Sequence, residues 1–197
     1  MGINIEAYRL FTDSNSSHST FPSPLRSNTS MTLSTGNNAL TLTANDLMVS
    51  GSISSGTGST TIAVSDGGTI GLGVTSGNMT ITGTELGNIT AGTLNIGDSS
   101  TGNITVDGIS AANSNNATMV NLTTASASSV SFSNNASTFQ ALDVSSGNGI
   151  NQGVNLTTSS TATLDADSND DGGVDISDAI FLLQYLFEGS VTIPEPT

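Results

Sequence analysis

Pairs of apolar residues separated by a single position recur through most of this chain: Leu40 and Leu42, Ile62 and Val64, Met79 and Ile81, Ile104 and Val106, Val120 and Leu122, Leu142 and Val144, Val154 and Leu156. Successive side chains of a strand point to opposite faces, so each pair marks a short strand with one face to bury. The pairs recur at uneven intervals, with Leu94/Ile96 and Val130/Phe132 as further strands between them. One such segment is too thin to bury its own apolar face. Stacking each on the next creates a narrow core and pairs the backbone groups of neighbours. The spacing therefore predicts an all-β chain with a parallel β-solenoid body over residues 31–163. An antiparallel sandwich is the alternative that shares the alternation. Irregular turn spacing combined with recurring strand chemistry weighs towards the stack.

Composition agrees with stacked strands. The 197 residues include 32 Ser, 29 Thr, 20 Asn and 22 Gly, while charged residues are only 9%. Ser, Thr and Asn suit ladders of like residues, and Gly and Asn supply corners of positive φ. The body 31–163 contains no Pro, Lys or Arg, and no aromatic residue before Phe132. The net charge is -14, with Arg9 and Arg26 as the only Lys or Arg residues and His18 the only histidine. Neutralising phosphates needs a face of Lys and Arg, so nucleic acid and anionic membrane surfaces are excluded as partners. No Cys is present, which removes disulfides, thiolate chemistry and Cys-based zinc sites. The apolar stretch 179–187 is interrupted by Gln184 and is too short to span a bilayer.

Three parts are expected: an N-terminal arm, 1–30; the body, 31–163; and a C-terminal acidic segment, helix and Pro-containing tail, 164–197. In the arm, Ile3, Ile5 and Ala7 alternate with Asn4, Glu6 and Tyr8, as a strand that pairs with another subunit would.

The stretch 78–90 (Asn-Met-Thr-Ile-Thr-Gly-Thr-Glu-Leu-Gly-Asn-Ile-Thr), then 94–98 and 101–109, resembles the repeats of large secreted bacterial proteins of the filamentous-haemagglutinin type. The resemblance covers about residues 35–163. It implies a right-handed parallel β-helix, export to the cell surface, and adhesive or structural roles.

Residues 167–178 read as a twelve-position calcium loop. Oxygen-bearing side chains fall at positions 1, 3, 5, 9 and 12, a glycine at 6, and an apolar β-branched residue at 8. Calcium takes six to eight hard oxygen ligands. Asp167, Asn169, Asp171 and Asp178 would offer side chains, Gly173 its carbonyl, and Asp175 a carboxylate directly or through water. Asp178 stands where Glu is usual, and its shorter arm implies either a weaker affinity or a loop drawn tighter. Residues 178–187 are helix-prone, carry an acid at the start, and stop at Gly189. A calcium loop followed by one helix, over about 165–189, resembles a dockerin repeat. Dockerins carry two such repeats to grip a cohesin, so the single copy argues against a cohesin-like partner and for a structural ion. The segment Ile193-Pro194-Glu195-Pro196 resembles the opening of an exosortase sorting signal.

These features point to a secreted or cell-surface structural or adhesive protein. It would be a calcium-stabilised subunit that assembles into homo-oligomers or polymers through its N-terminal arm and C-terminal helix. A spacer or anchoring fragment of a larger adhesin is the alternative. A polysaccharide lyase on a β-helix would need a basic residue beside calcium-holding acids, and the body offers neither Lys nor Arg. No catalytic residue is therefore assigned.

Overall fold

The computed structural model describes Ile3–Glu6, Leu25–Ser27, residues 32–160 and Ala162–Asp165, and within these the side chains of residues 32–160. The elements follow in order. First come β1 (Ile3–Glu6), β2 (Leu25–Ser27), β3 (Thr32–Ser34), β4 (Leu40–Ala44), β5 (Leu47–Val49), β6 (Ser52–Ser54) and β7 (Ser59–Val64). Then come β8 (Ile70–Gly73), β9 (Met79–Ile81), α1 (Gly83–Gly87), β10 (Ile89–Ile96), β11 (Ile104–Asp107) and α2 (Ala111–Ser114). The last are β12 (Ala117–Thr123), β13 (Val130–Phe132), β14 (Ser137–Phe139), β15 (Leu142–Ser145), β16 (Ile150–Gln152), β17 (Leu156–Thr158) and β18 (Ala162–Asp165).

Every strand pairing among the described residues is parallel. The largest sheet has nine strands. Its main path runs β1-β4-β7-β10-β12-β15-β18, and β3 and β6 join it through β10. A five-stranded sheet runs β16-β13-β11-β8-β9, and two further sheets are the pairs β14-β17 and β2-β5.

Register explains the alternating pairs. Leu42, Ile62, Ile96, Leu122 and Val144 are successive register partners across the large sheet, and all are buried. Ile70, Ile104 and Val130 form a second buried column in the five-stranded sheet. The two columns belong to a single apolar core. Thr60 occupies an inward position between Leu40 and Leu94 without breaking the core. Its hydroxyl donates to the Ser55 hydroxyl at 2.8 Å, which in turn donates to the Gly58 carbonyl at 3.0 Å. A buried hydroxyl satisfied in this way avoids the full desolvation cost.

The expected regular right-handed β-solenoid is not what the described residues form. The architecture is mostly parallel β in several sheets of unequal size, one of them curled into a half-barrel, with two short helices between strands. A regular β-helix repeats one cross-section, whereas the passes of this chain differ in content. The five-stranded sheet ends in β9, which lies directly beside β8 with Ile70 opposite Met79. The chain doubles back there through residues 74–78. Gly71 and Gly77 make this possible, because a Cβ on Gly71 would stand 2.5 Å from the Ser76 carbonyl carbon and one on Gly77 2.5 Å from the Gly71 nitrogen. The expected loop at 167–178 and the helix after it lie outside the described residues.

The helix α1 covers a sheet edge. Thr82 caps it, accepting from the Glu85 N–H, while the Glu85 carboxylate accepts from the Thr82 N–H at 2.9 Å, a capping box. The other Glu85 oxygen accepts from the Val49 N–H at 3.1 Å, and the Asn88 carboxamide donates to the Val49 carbonyl at 3.0 Å. Both backbone groups of Val49 are thereby satisfied by side chains. An edge closed in this way cannot template another chain.

Because the columns are dry and continuous, truncating an inward residue leaves a cavity that neighbours cannot fill. Ile104→Ala is expected to lower unfolding free energy by about 2–5 kcal/mol. The half-exposed neighbour Thr105 on the opposite face should tolerate Ala within about 0.5 kcal/mol. Urea denaturation of the two variants checks the pair, and equal losses would overturn the column assignment.

Candidate functional site

The six residues assigned to calcium, Asp167, Asn169, Asp171, Gly173, Asp175 and Asp178, all lie outside the described residues. Among the described residues, no group of three or more His, Cys, Asp or Glu is placed to hold a metal ion. No helix among them is long and apolar enough to cross a membrane. The chemistry that the described part does offer is of three kinds: a hydrogen-bonded carboxylate hub beside a groove, an amide ladder on the large sheet, and the two ends of the strand stack.

The hub is Asp107, at the end of β11 and 4% exposed. One carboxylate oxygen accepts from the Asn134 carboxamide at 2.8 Å. The other accepts from the Asn135 N–H at 3.1 Å and its carboxamide at 2.8 Å. These bonds pin the turn after β13, where Asn134 takes a positive φ of 59°. The Asn134 carboxamide first, and then the Asn135 carboxamide, hold the Asp107 carboxyl below its ordinary 3.8 despite burial. Asp98 is a weaker relative. Burial pushes it up, but bonds from the Ser100 hydroxyl and N–H and from the Thr101 hydroxyl outweigh burial and hold it below 3.8.

Beside Asp107 lies an open groove of about 510 Å³, lined by residues 73–76, 80, 82–84, 108 and 113. Gly73 and Gly108 line it at the ends of β8 and β11, while Thr82 and Thr84 come from the start of α1 and Asn113 from α2. None of the lining residues is ionisable. The groove can donate and accept hydrogen bonds but supplies no general acid, base or charged nucleophile.

On the large sheet, the Asn95 carboxamide donates to the Thr61 hydroxyl at 3.2 Å and the Asn121 carboxamide donates to Asn95 Oδ1 at 2.9 Å. The ladder stops there. Asn121 Oδ1 is buried and has no partner, and the next register position is Asp143, which has no amide N–H to donate.

The ends of the stack differ from its middle. The hydrophobics that pack on the core only partly buried are Leu33, Ile150, Val154 and Leu156. Leu33 lies in β3, on the outer side of β6. Ile150 and Leu156 lie in β16 and β17, the outermost strands of their sheets, and Val154 lies between those two. Their inward register partners Ile53 and Val130 are buried. Among the described residues, β1 pairs only with β4 and β18 only with β15, so each presents one unpaired backbone edge. The strand expected in the arm is therefore β1, and it adds to its own chain's sheet.

Reading the sequence alone missed the hub, the groove and the orphaned amide. Asp107-Gly108 and Asn134-Asn135 are turn signals. Their joining into one cluster depends on the register that sets Val106 of β11 opposite Phe132 of β13, which only the fold provides. Comparisons with protein-family models, with curated proteins and with solved structures find no match to this chain.

Two outcomes follow. A carboxylate whose folded pKa is depressed contributes stability above its unfolded value, and that contribution is lost as pH falls through the folded value. Stability should therefore drop below about pH 3.8. Asp107→Asn should cost about 1–3 kcal/mol at pH 7 and flatten that drop; thermal melts across pH check both. Asp143→Asn supplies the missing donor to Asn121 Oδ1 and is expected to raise stability by about 1 kcal/mol. A destabilised variant in the same assay would show that the amide oxygen is satisfied in another way.

Proposed function

We propose that this chain is an extracellular structural or adhesive subunit, without catalytic activity, that associates with copies of itself into filaments or a surface layer. In this reading residues 167–178 hold one structural calcium ion through Asp167, Asn169, Asp171, Gly173, Asp175 and Asp178. The observation that carries the assembly reading is the partial burial, at the outer strands, of hydrophobics that pack on the core. Interior strands bury their inward residues to near zero exposure, while Leu33, Ile150, Val154 and Leu156 at the outer strands stay partly open. Unpaired backbone and half-buried apolar groups together are what strand addition satisfies. The hydroxyl- and amide-rich faces, with 9% charged residues in the whole chain, also support a scaffold built by stacking.

Four carboxylates at Asp167, Asp171, Asp175 and Asp178 would repel one another without a cation. Sedimentation velocity and electron microscopy, with millimolar calcium and with chelator, test the reading. Concentration-dependent polymers with calcium are expected, with a measurable heat of calcium binding and a loss of polymer on chelation. A monomer at high concentration in calcium overturns the assembly reading and leaves a spacer module. Absence of binding heat overturns the calcium site.

A further inference from the structure

Among the described residues, the unpaired edges at the two ends of the large sheet's main path, on β1 and β18, match each other. We infer that copies of this chain join head to tail, with β18 of one copy pairing in parallel with β1 of the next, Ala162 opposite Ile3, Thr163 opposite Asn4, Leu164 opposite Ile5 and Asp165 opposite Glu6. This rests on the assembly reading above and names its junction.

Three observations carry it. The first is register. Ile3 and Ile5 partner the buried Leu40 and Leu42, while Ala162 and Leu164 partner the buried Leu142 and Val144. Pairing β18 with β1 at this register places apolar positions beside apolar positions. A slip of one residue would set Ile3 beside Thr163 and break both columns. The polar column extends in the same way, from Asn4, Thr41, Thr61, Asn95, Asn121, Asp143 and Thr163 to the next Asn4.

The second is direction. All pairings among the described residues are parallel, and the strand at each end of the path has one unpaired side. Joining two copies of the same end by a two-fold axis would force antiparallel pairing and scramble the columns. Head-to-tail joining keeps the pattern and, being heterologous, generates an open polymer.

The third is charge. Arg9 and Arg26 both precede β3 in the chain, and Arg26 lies in β2 at the N-terminal side of the stack. The run of Asp165, Asp167, Asp170, Asp171, Asp175 and Asp178 begins at the last residue of β18. Along the chain the cations thus follow one end strand and the densest acids the other, as joining of unlike ends requires. One position opposes the junction: Glu6 would stand beside Asp165, and like charges directly opposite weaken a strand pair.

The test uses the full chain, which has no native Cys. Within one chain Asn4 and Thr163 are separated by six strand-to-strand steps of roughly 4.8 Å each, too far for one bridge. The double variant Asn4→Cys with Thr163→Cys, oxidised or treated with a short bis-maleimide, is expected to give a ladder of covalent multimers on a denaturing gel. Each single variant should give no more than traces of dimer. Independently, Glu6→Gln should lower the concentration needed for polymer by roughly two- to fivefold. Dimers from Thr163→Cys alone, a crosslinked monomer, or polymers that neither crosslink nor respond to Glu6→Gln would overturn the junction while the assembly reading stands. A chain that sediments as a monomer overturns the assembly reading itself.

Discussion

Parallel backbone pairing in fixed register is the constraint on which the rest of this structure depends. A one-residue slip in any pair sends every inward side chain outward. The continuity of Leu42, Ile62, Ile96, Leu122 and Val144 is therefore both the product and the guarantor of the register. Each of these side chains, nearly free of solvent, contributes about 1.5–3 kcal/mol relative to an exposed position. The inward face thus sets the register, and the outward face must accept whatever neighbours that register imposes.

This accounts for the low charge. In an in-register parallel stack, a residue on the outer face stands about 4.8 Å from its partners above and below. Rows of Asp or Glu would repel at that spacing, whereas Thr and Asn can donate and accept along the row. Thr61, Asn95 and Asn121 do so, and the row loses its continuity at Asp143. The other acids of the described body avoid the rows by ending strands or capping turns. Asp107 closes β11 and binds the turn at 134–135, Asp98 braces Ser100 and Thr101, and Glu85 caps α1 while holding Val49.

The alternating pairs were legible because burial of one face is a local demand. Every pair from Leu40 to Val144 has both members buried. The order of stacking was not legible, because one run of pairs in the sequence is two columns in space. Leu94/Ile96 belongs with Ile62/Val64 in the large sheet, while Met79/Ile81 and Ile104/Val106 belong to the five-stranded one. The register shows why. Successive inward positions along the large sheet are Leu40, Thr60, Leu94, Val120 and Leu142, and they are unevenly spaced in the chain. The longest step, from Thr60 to Leu94, contains β9 and α1, and the next longest, from Leu94 to Val120, contains α2. Thr60 hid its strand's first inward position by being polar. The Thr82 and Glu85 capping box was present in the sequence, but so short a helix has no periodicity long enough to announce it. The calcium loop rests on its spacing alone.

The two short helices bear on how this chain treats its edges. Edge closure by α1 uses side chains, with Glu85 and Asn88 occupying the N–H and carbonyl of Val49. At α2, the Ser114 hydroxyl donates to the Thr138 carbonyl at 2.9 Å and the Asn116 carboxamide to the Gly87 carbonyl at 2.6 Å. Backbone groups along the flank are thus capped one by one by side chains from inserted turns. The described side chains offer no such cap at the outer edge of β16, where the residues run half-buried, exposed and exposed. The chain thus caps its flanks residue by residue while leaving outer strands half-open. Under the proposed reading this division has a physical consequence. Growth proceeds along the stacking axis, and lateral aggregation by strand addition is suppressed where the flank is capped.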